Sequence, residues 1–167
     1  MTLTSYHANL KQALQEAFPV LQTVESYRIG ETLATPAILT EIEHMSVGDI
    51  NSEGKTPVVL SMALHCILGH GTPNLELEVR NFAAQTLVLL RNNYIGFTQD
   101  IDAPGNLQAQ PSEFKPGKGG FESVAVTYEQ TIYLGDPAFD LTSYGLSTEL
   151  NFDVVFGGVH EREAIVT

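Results

Sequence analysis

The side chains best suited to chemistry cluster early in the chain: His44, His65, Cys66 and His70. A structural zinc site needs a second cysteine or a histidine pair three to five residues apart. Only His65 and His70 meet that spacing, with one cysteine in the whole chain. His65 and Cys66 are adjacent in a stretch that reads as a strand, so they point to opposite faces and cannot share a ligand. The same apolar stretch argues against a Cys66–His nucleophilic pair, since a buried thiol stays protonated and no base can be named for it. Lys115-Pro116-Gly117-Lys118-Gly119-Gly120 has the composition of a phosphate-cradling loop. That device requires a strand before it and a helix after it, whereas an extended strand follows here, so a hairpin connection is the better reading. Asp100 and Asp102 have no partner acid placed opposite them, and Glu41 and Glu43 read as a solvated strand face. The residues nominate no catalytic set, no metal and no cofactor.

Charge is more informative. The 167 residues carry 20 acids against 8 bases, a formal net charge of −12, with no basic block. Binding through nucleic-acid phosphates needs the opposite sign. The acids are dispersed, which describes a solvated surface and excludes an acidic tail. The length suits one domain with a real core, and 43% hydrophobic residues are ordinary for a globular chain. No run of about 18 apolar residues is present, so no membrane partner is expected. The N-terminal residues show no charged-then-apolar leader pattern, and the single cysteine suits a reducing cytosol.

Two elements organise the rest. From Thr72 to Asn93, Leu75, Val79, Phe82, Ala83, Thr86, Leu89 and Leu90 recur at spacings of three and four, predicting a helix laid across a sheet. Thr72 stands where an N-cap belongs, with Pro73 at the first helical position. Val58 to Leu68 is apolar on both faces, which predicts a central strand. Tyr6, Leu10, Ala13, Leu14 and Ala17 mark a first helix capped by Thr4 or Ser5 and ended near Pro19. Val24–Ile29 and Ala37–Met45 read as strands, the second with a wet face bearing Glu41 and Glu43. Ile95–Ile101 is a weak strand candidate, and Asp102–Gly120, rich in Pro, Gly, Gln and Ser, reads as one long loop. Phe121–Leu134 is the second strong strand, with Val124, Val126, Tyr128 and Ile132 on its apolar face. The expected fold is α+β: a mainly antiparallel sheet of four or five strands with two helices packed on it. The expected division is a core over residues 1–135 and an extension over 136–167, in which only Asn151–Phe156 looks strand-like.

Several phrases in this order resemble the tail terminator proteins of tailed bacteriophages, particularly the Mu-like tail family. They are Pro36-Ala37-Ile38-Leu39 after a short helix–strand unit, the strand end Leu68-Gly69, the helix end Leu87–Arg91, and Val126-Thr127-Tyr128-Glu129-Gln130-Thr131-Ile132-Tyr133-Leu134-Gly135. The likeness spans roughly Thr4 to Gly135. It implies a virion protein, assembled in the host cytoplasm, that forms a hexameric ring on the head-proximal end of the tail. Such a ring stops tube polymerisation and joins the tail to the head connector. The implied partners are further copies of the chain, the tail tube protein, the head connector protein and, in contractile tails, the sheath. DNA would pass through without being held, which an acidic lumen favours. The family has no catalytic residues to carry over. Another neck, connector or completion subunit, and a small cytosolic hydrolase, stay open as alternatives.

The residues expected at the ring contact are Lys115, Lys118, Phe121, Ser123, Thr127, Glu129, Thr131 and Tyr133. The expectation takes Phe121–Leu134 as a sheet edge whose polar side chains face outward and whose backbone is free to pair. The two lysines, in a chain this acidic, would meet a neighbour's carboxylates.

Overall fold

The computed structural model describes residues 1–27, 33–49, 55–91, 93–112 and 120–134. Lys115, Lys118 and the whole of 135–167 lie outside the described residues.

Among the described residues, two helices and five strands follow in the order α1 (Leu3–Ala17), β1 (Thr23–Ser26), β2 (Ala37–Val47), β3 (Thr56–Gly69), α2 (Leu75–Leu90), β4 (Gly105–Pro111) and β5 (Phe121–Leu134). One sheet holds all five strands in the spatial order β1-β2-β3-β5-β4. β1 runs parallel to β2, and every other pairing is antiparallel. The expected α+β architecture, with β3 at the centre, is the one observed. β3 earns that place because it is apolar on both faces, and residues 62 to 68 are all buried.

Both helices lie on one face of the sheet. Tyr6, Leu10 and Leu14 of α1 and Ala83 and Leu90 of α2 close over Ile38, Leu60, Met62, Leu64, Cys66, Val126, Tyr128 and Ile132. Burial at about 25 cal/mol per Å² of apolar surface makes this layer the main source of stability. Phe82 and Leu89 pack against the same core but remain partly exposed, with Phe82 set edge-on to Phe18 at 5.3 Å between ring centroids. A polar chain runs inside this layer. Tyr6 Oη donates to Gln130 Oε1 at 2.9 Å, which leaves Tyr128 Oη to donate to Tyr6 at 2.9 Å, and Gln130 Nε2 donates to the Asp102 carbonyl at 2.9 Å. Among the described residues no buried side-chain nitrogen or oxygen lacks a partner.

Four expectations require correction. The cap of α1 is Thr2, which exchanges hydrogen bonds with Ser5 as a capping box, so the helix begins two or three residues earlier than expected. α2 is capped at Asn74, whose left-handed backbone (φ 52°) separates Pro73 from the helix, while Thr72 makes a turn to Gly69. Ile95–Ile101 is no strand. Ile95 (φ 54°) and Gly96 (φ 73°) turn the chain sharply, and Ile95 and Ile101 plug the core from an irregular connection. Finally, the presumed long loop contains β4. Asn106, Gln108 and Gln110 do alternate with Leu107, Ala109 and Pro111. The apolar set has one large side chain, Leu107, and six of the seven residues are exposed, so the alternation is faint among the surrounding Pro, Gly and Gln. β4 is a strand because the outer edge of β5 offers it hydrogen bonds, not because its side chains need burial.

Candidate functional site

β4 changes the status of β5. From Gly105 opposite Glu129 to Pro111 opposite Val124, β4 occupies the outer edge of β5, and Asp102 and Asp100 extend the contact by hydrogen bonds to Thr131 and Tyr133. The expectation that β5 is an edge strand is therefore wrong. Among the described residues, the edges are β1 and β4. β4 carries Asn106, Gln108 and Gln110 and ends in Pro111, which has no N–H to offer, features that keep an edge soluble.

The expected contact residues have separate fates. Ser123, Thr127, Glu129, Thr131 and Tyr133 do share the sheet face opposite the helices, standing beside Ile67, Ala63, Ser61, Val59 and Pro57 of β3. Glu129 is held by the Asn106 amide, and Tyr133 Oη donates to Asp102 Oδ2 at 3.0 Å. Phe121 belongs elsewhere. It packs with Tyr27 and Leu33 onto Ala37, Leu39 and Ile67, a small second core on the open face.

Beside that second core lies a constellation of side chains suited to chemistry. His65 Nδ1 is 2.8 Å from Ser112 Oγ, and His65 Nε2 is 3.1 Å from Glu41 Oε2. The Tyr27 ring lies 5.5 Å from the imidazole. The sheet register explains how strands that are not neighbours meet here. His65 pairs with Ala125, and Ala125 with Gln110. The alanine side chain is short enough for the imidazole to reach across β5 to Ser112, just past the end of β4. On the other side, Glu41 stands one row from Leu39, the partner of His65. A hydroxyl, an imidazole and a carboxylate in series are the components of a nucleophilic triad. The ring is used in the reverse sense, however, with the hydroxyl on Nδ1 and the acid on Nε2, and the Ser112 N–H is already given to Ser123 O at 3.3 Å. The arrangement ties β2, β3 and β4 together across β5.

The other early candidates separate. Cys66 faces the helices, fully buried, with its sulfur 3.5 Å from Thr86 Oγ1. Burial pushes its thiol up to about 12, so it is inert near neutral pH. His44 pairs with Ser61 beyond a bulge in β2, and His70 follows β3 with its ring packed against Gly120. Among the described residues, no three His, Cys, Asp or Glu side chains converge as a metal site would require. No described helix is long and apolar enough to cross a membrane.

No family model matches the chain, and no curated protein matches it. Among solved structures, a chain from the virion of a native gene transfer agent particle is similar over 77% of this chain and 94% of that one. The two are 12% identical, with a TM-score of 0.47. A likeness of that size leaves the function open.

Beyond the sheet, two grooves flank α2. One, of about 510 Å³, lies between the helices and is lined by Asn9, Gln12, Glu16 and Asn93 over Ala13 and Leu89. The other, of about 200 Å³, runs between α2 and β4 and is floored by Ala83, Ala84, Leu87 and Val124, with Arg80 among its lining residues.

Proposed function

We propose that this chain is a structural protein of a tailed-phage virion, a tail terminator that caps the tail tube as a ring and joins it to the head connector. The observation that carries the reading is the ordered set of phrases, each of which falls on a framework element. Pro36–Leu39 leads into β2, Leu68-Gly69 ends β3, Leu87–Arg91 ends α2, and Val126–Leu134 forms most of β5. The net charge of −12 supports it, because a lumen that repels phosphate lets DNA pass without being held. Duplex DNA should therefore show no shift in a gel, even at low salt.

The ring contact in this reading is head-to-tail, since a heterologous contact either closes or runs on as a filament. It uses the polar face of β5 (Ser123, Thr127, Glu129, Thr131, Tyr133), with Phe121 as its apolar margin and Lys115 and Lys118 as its cations. Two experiments test this. Labelled protein should appear at the head-proximal end of isolated tails, and its removal should give tails of uncontrolled length. Charge reversal at Lys115 and Lys118 should shift sedimentation away from the ring; unchanged rings and normal tails would remove the loop from the contact.

One observation favours a second reading, a small hydrolase: the Ser112–His65–Glu41 series. A fluorophosphonate probe that labels wild-type protein at Ser112, and fails with His65→Ala, would establish it over the structural role.

A further inference from the structure

The outward face of α2 carries a surface that the head-to-tail contact does not use. Leu77 and Val88 are 57% and 77% exposed, and Ala84 is exposed between them. Together with Asn81 they stand at successive steps of four, three and four. That is a single narrow stripe at coiled-coil spacing, on the side of the helix away from the core residues Val79, Ala83, Thr86 and Leu90. Isolated exposed apolar residues need no explanation, but an aligned stripe beside an apolar groove is different. The groove between α2 and β4 adjoins it through Ala84 and adds Leu87, Ala109 and Pro111.

The charges around the stripe are distributed unusually. The described residues include four lysines and arginines. Lys11 is paired with Glu25 and Lys55 with Asp100. Arg80 and Arg91 are both on α2 or its C-cap and exposed, and among the described residues no ion pair engages either of them. Glu76 and Glu78 occupy the first turn of the same helix. The face thus has acids at one end, an arginine at the other and an apolar stripe between.

We propose that this face binds a second copy of the chain, with the two α2 helices antiparallel about a two-fold axis. The stripe is symmetric about the midpoint between Asn81 and Ala84. A two-fold through that point sets Leu77 of one copy against Val88 of the other and Asn81 against Ala84. The same operation brings Glu76 of each copy beside Arg91 of its partner, at both ends of the contact. Self-complementarity of this kind is what an isologous interface requires, and complementary charges set its register. A polar residue inside the stripe, Asn81, favours one alignment over its slipped alternatives. One helix face and a flanking groove lie at the small end of stable interfaces, so the dimer is expected to dissociate on dilution.

This contact is independent of the proposed ring, and its test separates the two. Sedimentation is measured from about 5 to about 200 µM protein. Leu77→Glu with Val88→Glu should weaken the dimer at least about tenfold while leaving the melting temperature unchanged, because neither side chain is in the core. Glu76→Arg alone should weaken it about three- to tenfold, and adding Arg91→Glu should restore it to within about twofold. Separately, Asn81→Cys with Ala84→Cys should give a covalent dimer and no higher ladder on mild oxidation, since native Cys66 is buried. A chain that is monomeric throughout the series, a dimer indifferent to Leu77→Glu with Val88→Glu, a charge swap that fails to restore it, or a ladder in place of a dimer would each overturn the proposal. Loss of rings on charge reversal at Lys115 and Lys118, with the dimer intact, would bear on the ring alone.

Discussion

The two faces of the sheet are built from alternate residues of the same strands and do different work. On the helix side, Leu60, Met62, Leu64 and Cys66 of β3 meet Val126, Tyr128 and Ile132 of β5 under two helices. On the other side, Val59, Ser61, Ala63 and His65 meet Thr131, Glu129, Thr127 and Ala125 with no helix above them among the described residues. Stability resides on the first face, through removal of apolar surface from water. The second face is held by position-specific polar contacts, each worth little, and is left available for recognition. A period of two along a strand is enough to segregate these roles.

Substitutions can break or sharpen that contrast. Leu64→Ala should cost about 2–5 kcal/mol by opening a cavity at the sheet centre, read from urea unfolding, while Ser61→Ala on the opposite face should change stability by under about 0.5 kcal/mol. A penalty for Ser61→Ala approaching that of Leu64→Ala would mean that the small second core around Ile67 extends over the whole open face. Tyr128→Phe removes the donor that satisfies Tyr6 and should cost about 1–3 kcal/mol, more than the same change at Tyr133, whose hydroxyl bonds Asp102 at the surface.

Alkali should distinguish the faces by spectroscopy. Burial, as the leading cause, raises the Tyr6 and Tyr128 phenols above 10.0, and burial raises Cys66 from 9.0 to about 12. Acids whose folded pKa is raised contribute stability that is complete below their unfolded values and is lost as pH climbs toward the folded ones. The urea midpoint should therefore fall above about pH 9, and two of the six tyrosines should ionise only as the protein unfolds. Phenolate absorbance from all six in a single step below the unfolding transition would contradict this.

The smallest effect belongs to the imidazole. His65→Ala should cost about 1 kcal/mol and loosen Ser112, seen as faster amide exchange at the end of β4. Ala125→Leu should produce the same exchange signature by blocking the path of the ring across β5, without touching His65.

Much of the helix-covered layer was legible in the sequence, because burial imposes a period: two along β3 and β5, three to four along α1 and α2. The parts that escaped are those that bury little. β4 is held by backbone hydrogen bonds to β5, and its alternation of Asn106, Gln108 and Gln110 with Leu107, Ala109 and Pro111 is too weakly apolar to stand out inside a Pro-, Gly- and Gln-rich stretch. Without β4 the sequence offers no way to place Ser112 beside His65, and β5 reads as an edge. Alternation puts Glu41 on a wet strand face and His65 on a largely apolar one, but their meeting depends on register, which alternation does not supply. The helix starts went astray for a related reason. Thr2, Thr4 and Ser5 are all competent caps, and the left-handed turn at Asn74 overrides the Thr72-Pro73 signal.

The pairing of β3 with β5 also governs how the chain reaches its fold. α1, α2 and the β2–β3 hairpin are local and can form early, but the partners joined from Gly69–Phe121 to Thr56–Leu134 are roughly fifty to eighty residues apart. Until that long closure is complete, one side of β3 presents an unpaired row of N–H and C=O groups beside apolar side chains, a template for any other nascent copy. Folding speed is then set by β5 arriving, and many copies made at once must complete this step before they meet one another.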